Sequence, residues 1–283
     1  MFYRSSDKSS NGAGQADVSL DQQRNFLSKR RKIMAPTVKP AGPTIASPTI
    51  EDTLQDFLRA PLFVPVRAEA EARETAIDLF RSYVYYHGHS GLSPTEQQLL
   101  ERYFHLKVPE HRGFHQIFGP AKIPSLLPDF LCFLSCEISP VASQKFVVAT
   151  CRTMEELMLW LTKEGHIDGE TGERAAYDCA QAARNLPRAM RALRRLHREA
   201  QEWSDEEIRW TSEGESEKFK IVRLAPGAIW LQNDEGTRVG PLKISDKIKR
   251  DLEVGWEVHC SLIKLRSQWQ LTGLGGIFPY PRQ

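Results

Sequence analysis

Five arginines, Arg184, Arg188, Arg191, Arg195 and Arg198, recur at intervals of four, three, four and three residues. On a helix those intervals align all five guanidinium groups along one stripe. Residues 181–200 hold six Arg, one Glu and no Lys, a choice that suits forked, bidentate contacts to phosphate or carboxylate better than simple solvation. Further along lie Lys218, Lys220, Arg223, Lys243, Lys247, Lys249 and Arg250. Trp230 stands among them, and because Ile229 and Leu231 take the opposite face of a strand, Trp230 is expected to offer an outward aromatic contact.

Two kinds of partner satisfy such a pattern. The first reading is a non-catalytic nucleic-acid-associated adaptor, in which Arg184, Arg188, Arg191, Arg195, Arg198, Trp230, Lys243 and Lys247 meet DNA or RNA. The alternative is a protein-interaction or scaffold module, in which the stripe pairs with carboxylates of a partner or of this chain. Residues 202–217 carry seven acidic groups against one Arg, an excess of six, so an acidic counterpart lies close in sequence.

Other chemistry is harder to find in the chain. There is no GxxxxGKS/T phosphate loop and no GxSxG elbow. Gly273, Gly275 and Gly276 precede no helix whose amides would cradle a phosphate, so they read as a bend in a strand. His87, His89, His105, His111 and His115 fall within thirty residues, and Cys132 and Cys136 stand four apart. His111 and His115 flank Arg112 and Gly113, a poor helix, while the cysteines sit in an apolar one, so both sets are expected to be structural and no metal is assigned. Cys151 has Arg152 beside it in sequence, but on a helix that side chain points elsewhere, so neither Cys151 nor Cys179 is expected to be an activated thiol. No catalytic residue and no cofactor are assigned, and the chain is not expected to be an enzyme.

The stripe must be carried by a helix, and residues 172–202 supply the most regular one. Ala176, Cys179, Ala183, Leu186, Met190, Leu193, His197 and Ala200 form an amphipathic seam beside the arginines. Pro187 interrupts it, which predicts a kink or a restart capped by Asn185. Upstream, Thr49 with Asp52 and Ser93-Pro94 with Glu96 read as capped helix starts. Helices are predicted from Ala68 to His87, from Ser125 to Glu137, and from Ser139-Pro140 to Gly165. The stretch MEELMLWLTKEGHI, residues 154–167, resembles the last helix of the core-binding domains of tyrosine recombinases. That resemblance covers less than a tenth of the chain and brings no catalytic residue with it, since those enzymes need a large downstream catalytic domain.

Beyond the acidic stretch the apolar period changes to two. Phe219–Leu224, Ala228–Gln232, Arg238–Ile244, Val254–Leu265 and Trp269–Phe278 read as five strands, with Trp256, Val258, Cys260 and Leu262 inward. The fold class is therefore α+β and multidomain. A disordered basic tail (1–48, containing Lys29 to Lys32), an all-α domain (49–201) and an acidic linker (202–216) precede a small five-stranded SH3-like or OB-like barrel (217–283) expected to fold on its own. An odd count of five cysteines suits reduced thiols, no apolar run is long enough to span a bilayer, and the N-terminus lacks a signal peptide. A cytoplasmic protein with no membrane partner is the expectation.

Overall fold

Reciprocal caps begin two of the helices. Helix α1 (Ile50–Arg59) starts at Thr49, whose backbone N–H donates to Asp52 Oδ2 at 3.0 Å while the Asp52 N–H donates to Thr49 Oγ1 at 3.1 Å. Helix α2 spans Arg67–His87, and α3 (Pro94–Phe104) opens on the Ser93–Glu96 box with proline in its first turn. The structure, a computed structural model, describes residues 44–60, 67–107, 110–138, 142–203, 217–265 and 268–279. The tail with its basic tetrad and nearly all of the acidic stretch lie outside the described residues.

Helix α4 (Ile123–Phe133) runs directly into a π-helical turn, Leu134–Ile138. Helix α5 (Gln144–Lys163) begins later than the Ser139-Pro140 start: its cap is Ser143, whose Oγ accepts from the Phe146 N–H at 3.2 Å. Helix α6 is a continuous 35-residue helix, Gly169–Trp203, so Asn185 caps no restart. Pro187 forfeits one backbone hydrogen bond, but Leu186, Ala189 and Met190 around it are buried, and that packing carries the helix through. Ile50, Phe57, Phe80, Phe130, Met154 and Leu186 belong to one apolar cluster shared by α1, α2, α4, α5 and α6.

The sheet comprises β1 (Glu217–Ala225), β2 (Ala228–Asn233), β3 (Arg238–Lys243), β4 (Glu257–Leu265) and β5 (Gln268–Phe278), with a one-turn helix α7 (Asp246–Lys249) between β3 and β4. Its order is β3-β2-β1-β4-β5, antiparallel throughout. The expected barrel is corrected here. β3 and β5 remain the two edges of an open sheet, and the apolar face that closure would have buried is covered by α6 instead. Ala189, Ala192, Leu193 and Leu196 of α6 join Phe219, Ile221, Leu231, Val258 and Trp256 in a second apolar cluster. Edge strand β3 tolerates Pro241, which has no N–H to give a ladder. Trp256, Val258 and Cys260 are buried, as their alternation predicted, and Leu262, expected inward with them, is half-buried. All described residues, from Thr44 onward, fall in one compact unit, Pro43–Gln283.

Candidate functional site

The arginine stripe lies on the same length of α6 that covers the sheet, so its guanidinium groups project beside the segment joining β3 to β4. Asp251, just after α7, has a side chain only 9% exposed. It receives Arg191 Nε at 3.1 Å and Arg191 Nη2 at 2.9 Å on Oδ1, and Arg195 Nη1 on Oδ2. Arg195 also donates to the Lys247 carbonyl at 3.0 Å. Arg188 pairs with Glu253, approaches the Arg250 carbonyl at 3.5 Å, and places its guanidinium carbon 5.3 Å from the centre of the buried Trp256 ring. At the other end of α7, the Ser245 N–H donates to Glu199 at 3.2 Å. Helix α6 thus satisfies backbone groups at both ends of that turn, which are the ones a one-turn helix leaves open.

Three of the five stripe residues are therefore brought together on carboxylates of this chain. Arg184 is exposed and donates to the Ala180 carbonyl of its own helix at 3.3 Å, and Arg198 is exposed beyond the cluster. The sixth arginine of the segment, Arg194, donates to the Ala142 carbonyl at 3.1 Å. Lys243 stands exposed on edge strand β3, and Lys247 keeps its ammonium at the surface while its carbonyl serves Arg195.

Trp230 does not project freely. It is half-buried on β2, with the Arg223 guanidinium 4.5 Å from its ring centre. Gly240, at φ 134°, lies so close that a Cβ there would meet Trp230 Cδ1 at 2.9 Å. One ring face is already taken by a cation, which leaves less aromatic surface for a stacked base than the strand pattern suggests.

The partners that sequence reasoning passed over are Asp251, Glu253 and Glu199, while Trp256, expected inward, was not expected to lie under Arg188. A signal for them exists in Ser245-Asp246, a helix-start pair ahead of a segment whose apolar Ile248 and Leu252 sit four apart. A one-turn helix is too short to register against the surrounding strands.

The other chemically suggestive groups are dispersed. The Tyr85 hydroxyl lies 3.2 Å from His111 Nε2, His111 Nδ1 lies 2.6 Å from the Phe104 carbonyl, and the buried His115 faces Glu51 at 3.7 Å. Among the described residues no three His, Cys, Asp or Glu side chains are placed to hold a metal ion, and no helix is long and apolar enough to cross a membrane. Burial pushes the Cys151 and Cys260 thiols up to about 12 and raises Cys179 well above its ordinary value. Between α6 and the sheet, Leu196, Ile229, Leu231, Leu242, Trp269 and Gln270 help to line a cavity of about 280 Å³. No protein-family model, curated protein or solved structure matches this chain.

Proposed function

We propose that the protein is a non-catalytic protein-interaction scaffold whose arginine stripe fastens its helices to its sheet. The observation that carries this reading is the Arg191–Asp251–Arg195 cluster, in which a carboxylate 9% exposed takes up two guanidinium groups of the stripe. Guanidinium groups held in this way are spent on the fold, since moving them to phosphates would leave a buried carboxylate without its cations. What remains for a partner is the outer surface of a braced helix-and-sheet body, including the exposed side chains of Leu159 on α5 and Tyr177 on α6.

Nucleic-acid association stays as the second reading because Arg184, Arg198, Lys243 and Lys247 are exposed. Fluorescence anisotropy of the purified full chain against single- and double-stranded DNA and RNA, over a salt series, separates the two. The scaffold reading expects no salt-steep binding, together with a protein partner that survives nuclease treatment during native co-purification. Binding whose log–log salt slope reaches about −0.7 to −0.9 per phosphate neutralised, over several phosphates, would replace it with the nucleic-acid reading.

A further inference from the structure

Cys132 and Cys136 place their sulfurs 4.0 Å apart, and both side chains are half-buried. They differ in this from Cys151, Cys179 and Cys260, which are fully buried at 0% exposure. Cys132 sits in the last turn of α4, while Cys136 sits in the π-helical turn that follows. That turn is an irregularity held from outside. Leu134 is fully buried, Ser135 Oγ donates to the Ile277 carbonyl of β5 at 2.7 Å, and a Cβ at Gly276 of the same strand would lie 3.6 Å from Cys136 Sγ. Ser135 therefore ties the turn to the sheet, and Cys136 stands beside Cys132. Single π-helical turns within α-helices occur frequently at functional sites, because they break the regular ladder and re-aim a side chain.

We propose that Cys132 and Cys136 are an oxidisable dithiol, at which a small disulfide oxidant such as glutathione disulfide closes an intrachain disulfide. One protein thiolate attacks a sulfur of glutathione disulfide, forming a mixed disulfide and releasing one glutathione thiolate. The second protein thiolate attacks the protein sulfur of that mixed disulfide and releases the second glutathione. Two electrons pass from the protein to the oxidant, and the two protons of the protein thiols end on two molecules of glutathione. The second step is intramolecular and begins with the sulfurs already near contact, so the mixed disulfide is short-lived. Residues four apart on a helix have Cα atoms about 6 Å apart, inside the span of roughly 4.4 to 6.8 Å that a disulfide bridges, while their Cβ atoms, about 5 to 6 Å apart on a regular helix, must draw in toward roughly 4 Å. The sulfurs must close by about 2 Å. That movement falls on the π turn, where the i→i−4 ladder is already broken. This inference is independent of the scaffold reading, because it concerns the thiols and not a partner.

The folded full-length protein is incubated with glutathione disulfide, quenched with acid, denatured, alkylated with iodoacetamide and digested with trypsin. Residues 123–145 form one tryptic peptide that contains Cys132 and Cys136 and no other cysteine. The expected result is that this peptide loses two hydrogens and takes up no alkyl group, while Cys151, Cys179 and Cys260 are alkylated in full. In Cys132→Ser the same peptide is expected to carry one glutathione on Cys136, because the resolving thiol is gone. Full alkylation of both cysteines in the wild-type peptide, two glutathiones on it, or a disulfide-linked dimer in its place would each overturn the proposal.

Discussion

Asp251 is where the stripe's charges converge, and its surroundings are asymmetric. Its carboxylate is 9% exposed, whereas the Arg191 and Arg195 side chains are 38% and 36% exposed. Removing the carboxylate leaves two guanidinium groups that can turn to water, and removing the guanidinium groups strands a buried anion. Arg191→Gln with Arg195→Gln is therefore expected to destabilise the protein by about 3 to 5 kcal/mol, the range for breaking a buried pair from one side, while Asp251→Asn costs about 1 to 3 kcal/mol. Urea denaturation of the two variants checks this, and a larger loss in Asp251→Asn would remove the asymmetry. Gln keeps helix propensity close to that of Arg, so the comparison does not turn on α6 itself. A second residue makes stability depend on pH. Burial lowers the pKa of His115, with the Glu51 charge opposing and the Arg81 charge adding to the shift. The folded protein then binds fewer protons than the unfolded chain below the ordinary histidine range, so His115 contributes stability that is present above about pH 6.5 and is lost as the pH falls. His115→Gln is expected to flatten the fall in melting temperature as the pH drops below about 6.5. An unchanged slope would show that other groups govern it.

At the scale of elements, what could be read from the chain was what is local. Thr49 with Asp52 and Ser93 with Glu96 carry both halves of a capping box within four residues, and both helices start there. The strand cores followed from strict alternation, and Trp256, Val258 and Cys260 face inward accordingly. The stripe itself was legible because its spacing is helical. Its partners were not, because Arg191 and Asp251 are sixty residues apart in sequence and no periodicity relates them. Pro187 misled for a similar reason. Local chemistry argues for a break, and the burial of Leu186, Ala189 and Met190 against two different clusters outweighs it. The open sheet was illegible too, since five alternating strands specify an apolar face and leave unstated whether closure or a helix will cover it.

For the whole molecule, α6 is the shared wall. Its first part, through Ala176, Cys179, Ala182 and Leu186, packs in the helical cluster, and its second part, through Ala189, Ala192, Leu193 and Leu196, packs in the cluster of the sheet. A fragment of residues 217–283 would therefore expose to water the apolar face that those four side chains cover, and would also lose the cations that accompany Asp251. The apolar face of a sheet must be buried against another element. The fragment 217–283 is expected to give a collapsed or aggregating NMR spectrum, and a fragment of residues 181–283, which restores the second half of α6 with Arg188, Arg191 and Arg195, a dispersed one. Adding Trp256→Ala to the longer fragment is expected to cost about 3 to 5 kcal/mol, the range for truncating a buried aromatic, because Trp256 is 4% exposed and carries Arg188 over its ring. A well-dispersed spectrum from residues 217–283 alone would show that the strands bury enough surface among themselves, and α6 would then be a strap on a finished domain instead of part of its core.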